Sequence, residues 1–225
     1  MLKNWINIFL FHIKNNKLFT ALNVLGLSIG IAGLIFAILY WNDEQSYDQW
    51  NPEKEKVFRV SADLGKGNVW ANNPVTLEPF IKNNPNVEKM MFCENWYDSP
   101  VYKYKGRKQI IDKLFNAQKE FFEFFPFEFV RGNSKSVFQN ENSIAMSQKT
   151  AALFFGTENP MGKQIQYENS ILTVTAIYTI PGNSSIAPDA IINDMKGRIE
   201  ENKDQWGSFN CGCFIKLKDP SKINQ

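Results

Sequence analysis

The longest apolar segment of the chain is an uncharged run of 25 residues from Leu18 to Asn42. As an α-helix this run would be roughly 37 Å long, more than the ~30 Å hydrocarbon core of a bilayer. The apolar region of a secretory signal peptide is shorter and ends at a small-residue cleavage site, and no such site follows Trp41. The pattern therefore predicts a retained transmembrane helix over residues 18–42, with a cleaved signal peptide as the alternative.

The residues before this run form an amphipathic pattern. Five apolar side chains share one helical face: Leu2, Trp5, Ile6, Phe9 and Ile13. Lys3, Asn7 and Lys14 share a polar stripe. These positions predict an interfacial helix over residues 1–16 that lies on membrane lipid, and the alternative is an inward extension of the span with snorkelling lysines.

Charge on either side of the run predicts its orientation. The charged residues before it are Lys3, Lys14 and Lys17, and the first ones after it are Asp43, Glu44, Asp48 and Glu53. The positive-inside bias then puts the N-terminus in the cytoplasm and residues 43–225 outside it. Aromatic residues at the outer end match an interfacial belt: Tyr40, Trp41, Tyr47 and Trp50.

Small residues recur along one face of the predicted span. Gly26 and Gly30 form a G-x-x-x-G pair, which Gly33 and Ala37 continue one turn later. Small side chains let helix backbones approach closely, so these four residues are candidates for packing against other transmembrane helices. The alternative is the general abundance of glycine in membrane helices.

Residues 43–225 carry more strand signals than helix signals. Apolar and polar residues alternate over Val57–Ala62, and again over Leu172–Ile180, where residues 172, 174, 176, 178 and 180 are expected on one face. Two further strands, Val101–Lys105 and Lys108–Asp112, flank a predicted turn at Gly106-Arg107.

Two short helices complete the pattern of this outer part. Thr76 is expected to cap a helix that runs to Asn83, and Ser147 to cap one that ends at Phe155 before Gly156. The predicted fold class is a membrane-anchored mixed α+β protein.

Six phenylalanines surround Pro126: Phe121, Phe122, Phe124, Phe125, Phe127 and Phe129. Proline must end the short helix that begins near Lys119, so the cluster marks a helix-to-strand corner. Core filling is the expected role, because aromatic side chains dominate core burial. An exposed patch for a lipid or drug-like ligand is the alternative.

Candidate chemistry is sparse. The single histidine, His12, lies in the N-terminal helix, which excludes histidine-based triads and zinc sites outside the membrane. The segment Gly156 to Gln164 departs from a phosphate-binding loop in its glycine spacing and has Gln164 in place of the magnesium-binding hydroxyl. The whole chain has 25 basic and 23 acidic residues, and three of the basic ones precede the span, so the outer part has no basic excess for nucleic acid. No catalytic residue, cofactor, metal or nucleic-acid partner is therefore expected.

Three cysteines, Cys93, Cys211 and Cys213, belong to the outer part. Buried free thiols are the expected state, because free cysteine is among the most buried residue types. An oxidising compartment leaves open a disulfide between Cys93 and either of the other two.

A series of short motifs runs along the chain. In chain order they are Trp5 to Lys17, the span, Asp43 to Asp48, Val57-Phe58-Arg59-Val60, Phe121 to Phe125, Arg131-Gly132-Asn133, Ile144 to Ser147, Phe155-Gly156, Asn159 to Lys163, Val174 to Ile177, Pro181 and Asn183-Ser184-Ser185. In their order and spacing, which cover nearly the whole chain, these motifs resemble those of ABC-transporter permeases of the MacB-like, FtsX-related family.

This resemblance implies a permease of the bacterial inner membrane, partnered by a cytoplasmic ABC ATPase and a second or homologous permease subunit. It implies a periplasmic domain of two subdomains, about 44–96 with 209–225 near the membrane and about 97–192 inserted. ATP hydrolysis would reside in the separate ATPase, so this chain is not expected to be an enzyme.

The chain ends at Gln225 without a second apolar run, whereas the family has further spans. A fragment of a permease is therefore expected. The alternative is a single-span protein whose outer domain senses a ligand or binds a partner.

Overall fold

The computed structural model describes residues 2–96, 99–167 and 170–223. The chain falls into two units, Met1–Tyr47 and Asp48–Gln225. The first is helical and the second is a mixed α/β domain, which confirms the predicted fold class.

The first unit consists of helix α1, Leu2–Asn15, and helix α2, Lys17–Ser46. Asn16 interrupts them with φ −119° and ψ 53°, so α1 is a helix of its own rather than a continuous extension of α2. In the described residues, α2 is the one helix long and apolar enough to cross a membrane, with a mean hydropathy of 2.3 over its best window. It extends beyond residues 18–42 at both ends, because hydropathy limits the membrane-crossing part and not the hydrogen-bonded helix.

The second unit contains fourteen described strands and four described helices. The strands are β1 Val57–Val60, β2 Ala62–Asp63, β3 Val69–Trp70, β4 Asn72–Asn73, β5 Val87–Trp96, β6 Val101–Tyr104, β7 Arg107–Ile110, β8 Leu114–Ala117, β9 Glu128–Arg131, β10 Ser143–Ser147, β11 Gln164–Tyr167, β12 Ser170–Thr179, β13 Ala190–Ile192 and β14 Cys211–Leu217. The helices are α3 Glu78–Lys82, α4 Phe121–Phe124, α5 Gln148–Phe155 and α6 Met195–Asn202, with 3₁₀ turns at Val75–Leu77 and Pro220–Lys222.

One sheet runs through this unit in the order β1-β14-β5-β8-β13-β10-β12-β11-β6-β7. Strand β4 adds to β14 and β9 to β12, whereas β2 and β3 pair separately. The β8–β13 and β10–β12 pairs are parallel and the others are antiparallel. Since β8 also pairs with β5, hydrogen bonding is continuous across the predicted boundary near residue 97. The division into two subdomains stays a prediction.

The phenylalanine cluster fills the core. Five of its six members are buried: Phe121, Phe122, Phe124, Phe125 and Phe127. Phe129 is partly buried against them, and Pro126 follows α4 as expected. The predicted core role is confirmed, and the alternative of an exposed ligand patch is wrong.

Strand β12 alternates as predicted only in its first half. Against β10, Ile144 pairs with Val174 and Ala145 pairs with Ala176, so Thr175 is a bulged extra residue. The bulge reverses the alternation, and Val174 faces the α5 side while Ala176 and Tyr178 join the phenylalanine cluster. The expectation that residues 172–180 place one set of side chains on one face is therefore wrong.

Three local predictions also need correction. Thr76 lies inside a 3₁₀ turn and caps nothing, because Pro79 lacks one of the two N–H groups that a cap at Thr76 would bond. The Val57–Ala62 strand breaks at Ser61 into β1 and β2. The hairpin turn is Lys105-Gly106, one residue earlier, and its φ values of 47° and 79° match a type I′ turn, which needs positive φ at both positions.

The predicted cap of α5 is confirmed. The Ser147 hydroxyl accepts a hydrogen bond from the Thr150 N–H at 3.1 Å, and the helix ends at Phe155 before Gly156. The segment from Gly156 to Lys163 forms the turn between α5 and β11.

All three cysteines are free and buried, as expected. Cys93 on β5 pairs with Gly212 on β14, whereas Cys213 pairs with Phe92. Directly opposed residues point to the same face, so the Cys93 side chain lies on the opposite face of the sheet from Cys211 and Cys213. The alternative of a disulfide with Cys93 is therefore wrong.

We predict that none of the three thiols reacts in the folded protein. Burial raises the pKa of each thiol to about 12, so almost no thiolate is present at pH 8. Alkylation followed by mass spectrometry should label no thiol in native protein and three in denaturant, with no change on reduction. A thiol labelled only after reduction would contradict this assignment.

We predict that Gly132→Ala destabilises the outer unit by about 2 kcal/mol or more. Gly132 has φ +78°, and an added Cβ would lie 2.7 Å from the carbonyl oxygen of the bulged Thr175. Gly162→Ala is the matched control, because Gly162 has φ +74° with nothing within 4 Å. Denaturant unfolding should show the larger loss for Gly132, and equal losses would contradict the close approach.

Candidate functional site

The second unit begins at Asp48, two residues after the end of α2. The Asp48 N–H donates to the Asn183 carbonyl oxygen at 2.8 Å. Its carboxylate accepts from the Ser185 N–H at 3.0 Å and from the Ser185 hydroxyl at 2.5 Å. Three hydrogen bonds therefore fasten the first residue of the unit to the loop of residues 181–188.

Trp50 and Asn51, shortly after Asp48, connect the start of the second unit to the phenylalanine cluster. Asn51 is 3% exposed, and its side chain donates to the Phe124 carbonyl oxygen at 2.8 Å and accepts from the Glu53 N–H at 2.9 Å. The centres of the Trp50 and Phe127 rings are 5.2 Å apart. We call this group the Asp48 clamp: Asp48, Trp50, Asn51, Phe124, Asn183 and Ser185.

The loop of residues 181–188 is itself well fixed. Asn183 has a positive φ of 52°, which asparagine tolerates better than other residues with side chains. The Ser184 hydroxyl donates to the Ile186 carbonyl oxygen at 2.6 Å. Near the far end, the buried Tyr178 hydroxyl donates to the Pro188 carbonyl oxygen at 2.8 Å. The clamp therefore holds, through hydrogen bonds, a loop that is itself bonded to the core.

A cleft of about 260 Å³ opens beside the clamp and borders a second one of about 220 Å³. The two share Arg59, Ser185, Ile186 and Phe214. The Arg59 guanidinium carbon lies 5.9 Å from the centre of the Phe214 ring, and its Nε donates to the Ala71 carbonyl oxygen at 3.2 Å. A cation on an aromatic wall suits an anionic or carbonyl group of a ligand.

The second cleft also contains an acceptor without a donor. The Asn95 Oδ1 atom is buried and has no hydrogen-bond partner in the described structure. Cys93 lines the same cleft, but burial raises the pKa of its thiol to about 12 and leaves it a poor nucleophile. The clefts can therefore bind polar groups, and their lining offers no activated nucleophile. No group of three His, Cys, Asp or Glu side chains in the described residues could hold a metal ion.

Comparison with known proteins identifies the family. Residues 20–225 match the family model described as the MacB-like periplasmic core domain. This chain belongs to that family. No curated protein is found to match the chain. The chain is thus a MacB-like periplasmic domain of the ABC-type transporter permeases, and the apolar α2 indicates anchoring in the inner membrane.

Solved structures share the fold of the MacB-like domain at low sequence identity. A domain of a protein described as a permease, from Porphyromonas gingivalis, is 18% identical with a TM-score of 0.64, over 74% of this chain and 77% of that one. The periplasmic region of MacB from Actinobacillus actinomycetemcomitans is 12% identical with a TM-score of 0.52, over 75% and 79%. The extracellular domain of the noncanonic ABC-type transporter YknZ from Gram-positive bacteria is 13% identical with a TM-score of 0.52, over 75% and 86%.

The candidate packing residues of this MacB-like protein lie on an uncovered helix. Gly26, Gly30 and Gly33 have nothing within 4 Å of an added Cβ, and Ala37 is exposed. Their role in helix packing stays a prediction. The sequence did not reveal the Asp48 clamp, although Asp48 and the Asn183-Ser184-Ser185 motif were each among the residues that carry the family resemblance.

We predict that Asn51→Ala loosens the clamp and destabilises the outer unit by about 1–3 kcal/mol, because a buried carbonyl oxygen loses its donor. Hydrogen exchange should accelerate at the Glu53 amide, which bonds the Asn51 side chain. Asn140→Ala changes an exposed asparagine and is the matched control. Equal stability of the two variants would contradict a structural role for the clamp.

Proposed function

We propose that this chain is the permease part of an ABC transporter that couples cytoplasmic ATP hydrolysis to motion of its periplasmic domain. The motion exports or extracts a substrate on the outer side of the inner membrane. ATP is hydrolysed by a separate cytoplasmic ATPase subunit, and this chain is not itself an enzyme.

The observation that carries the proposal is the Asp48 clamp. One residue, Tyr47, separates the end of α2 at Ser46 from Asp48. A flexible linker at this point would absorb a displacement of the helix. Asp48 takes part in three hydrogen bonds and the Asn51 side chain in two, so the start of the second unit is held firmly. A displacement of α2 would therefore be transmitted to the loop of residues 181–188 and to the phenylalanine cluster.

The proposed topology places the N-terminus in the cytoplasm and residues 43–225 in the periplasm. Helix α1 lies on the inner leaflet through its apolar face, and the charge asymmetry across α2 supports this orientation. The face formed by Gly26, Gly30, Gly33 and Ala37 packs against helices of the same permease, or of a second or homologous permease subunit.

A second candidate function is supported by the clefts beside the clamp. In a single-span sensor, a polar ligand bound between Arg59 and Asn95 would change the loop that holds Asp48. This alternative needs no ATPase partner, and that difference separates the two functions.

We predict distinct effects of two variants on the full-length protein purified with its ATPase and assembled in nanodiscs. Gly30→Leu should reduce co-purification of the ATPase, because a large side chain keeps helices apart. Asp48→Ala should preserve co-purification and abolish the effect of the permease on ATP turnover, because the clamp no longer transmits motion.

The matched control is Asp204→Ala, which removes an exposed carboxylate outside the clamp. It should change neither assembly nor turnover. Wild-type protein that retains no ATPase in detergent or nanodiscs would contradict the transporter proposal and favour the sensor. Full coupling in Asp48→Ala would contradict the role of the clamp.

A further inference from the structure

The sheet ends at β7, a strand with an open hydrogen-bonding edge. Within the described residues β7 pairs with β6 alone, in the register Tyr104 to Arg107, Lys103 to Lys108 and Tyr102 to Gln109. The Ile111 N–H donates to the Pro100 carbonyl oxygen, so hydrogen-bonded pairs alternate along the hairpin. Arg107 and Gln109 therefore bond inward to β6, and the N–H and C=O groups of Lys108 and Ile110 point outward.

This edge is strongly basic in an otherwise balanced chain. Residues 101–113 contain one acid, Asp112, and five basic residues: Lys103, Lys105, Arg107, Lys108 and Lys113. Glu158 forms ion pairs with Lys105 and Lys163, and their hydrogen bonds lower its pKa to about 2. In the part of the chain that the structure describes, no ion pair neutralises Lys103, Arg107 or Lys108. All three are exposed.

Two exposed apolar side chains lie beside the basic residues of this edge. Val101 and Ile110 are directly opposed on β6 and β7 and are 44% and 54% exposed. They lie on the same face as Lys103 and Lys108, because the residues of a strand alternate between its two faces. The edge thus offers one apolar contact and, two residues away, a pair of ammonium groups.

We propose that β7 is a docking edge for an extended acidic segment of another protein, which adds to the sheet as an antiparallel strand. A second copy of the same edge is disfavoured, because two basic strands repel each other. Opposed residues set the partner's pattern: an apolar residue opposite Ile110, any residue opposite Gln109, and acids opposite Lys108 and Arg107. The inference is independent of the proposed transport function.

A direct test uses a labelled nine-residue peptide with valine, threonine, glutamate and glutamate at its centre. Binding to the full chain in nanodiscs is measured by fluorescence anisotropy, with a peptide of the same composition but scrambled order as control. We predict that the ordered peptide binds more tightly than the scrambled one and slows hydrogen exchange at the Lys108 and Ile110 amides.

Three variants separate the contribution of charge from that of backbone pairing. The double variant Arg107→Glu with Lys108→Glu should weaken binding by about tenfold or more, since two cross-strand ion pairs become repulsive. Ile110→Pro removes an outward N–H and should weaken binding more than Ile110→Thr, which retains it. Near-ultraviolet circular dichroism verifies that each variant is folded.

Three outcomes would overturn the proposal. Equal binding of the ordered and scrambled peptides would indicate unspecific charge attraction. Binding that survives both the charge reversal and Ile110→Pro would place the peptide elsewhere. Self-association of the full chain that is lost in Ile110→Pro would make the edge an interface between copies.

Discussion

The four-residue strand β8 holds the outer unit together, because it hydrogen-bonds to β5 on one side and to β13 on the other. Its four residues are buried, and they contribute to both main cores: Leu114 faces the α5 side, and Phe115 and Ala117 join the phenylalanine cluster. The Asn116 side chain accepts from the Asp194 N–H at 2.8 Å and so fixes the start of α6. Any relative movement of the two halves of the sheet would have to break these contacts first.

The Asp48 clamp is connected to strand β8 through the loop that it holds. The clamped loop of residues 181–188 connects β12 to β13, and β13 is the partner of β8. The other side of the clamp bonds Phe124, in the corner that covers the same sheet. In the proposed transport function, a force on Asp48 would therefore reach the centre of the sheet, where backbone hydrogen bonds and aromatic packing would resist it.

The two edges of the sheet differ in their surroundings, because β1 borders a cleft and β7 is basic. The cleft beside the clamp includes Val57 and Arg59 of β1, and the basic edge β7 lies at the opposite end of the strand order. A protein bound at β7 would thus act on one end of the hydrogen-bonded sheet, whereas a displacement at Asp48 would act on its centre. All three cysteines are buried free thiols, and burial raises the pKa of each to about 12.

The sequence alone determined the apolar span, the amphipathic helix before it, the α5 cap, the aromatic core and the order of family motifs. These features depend on local periodicity or on residue type, which the chain displays directly. The bulge at Thr175, the separation of Cys93 from Cys211 and Cys213, and the Asp48 clamp were decided by tertiary structure. Each depends on strand register or on contacts between residues far apart in the chain, and a one-residue change of register reverses which face a side chain occupies. The sequence shows that the residues after the span are acidic, but only the fold brings the Asp48 carboxylate within hydrogen-bonding distance of Ser185.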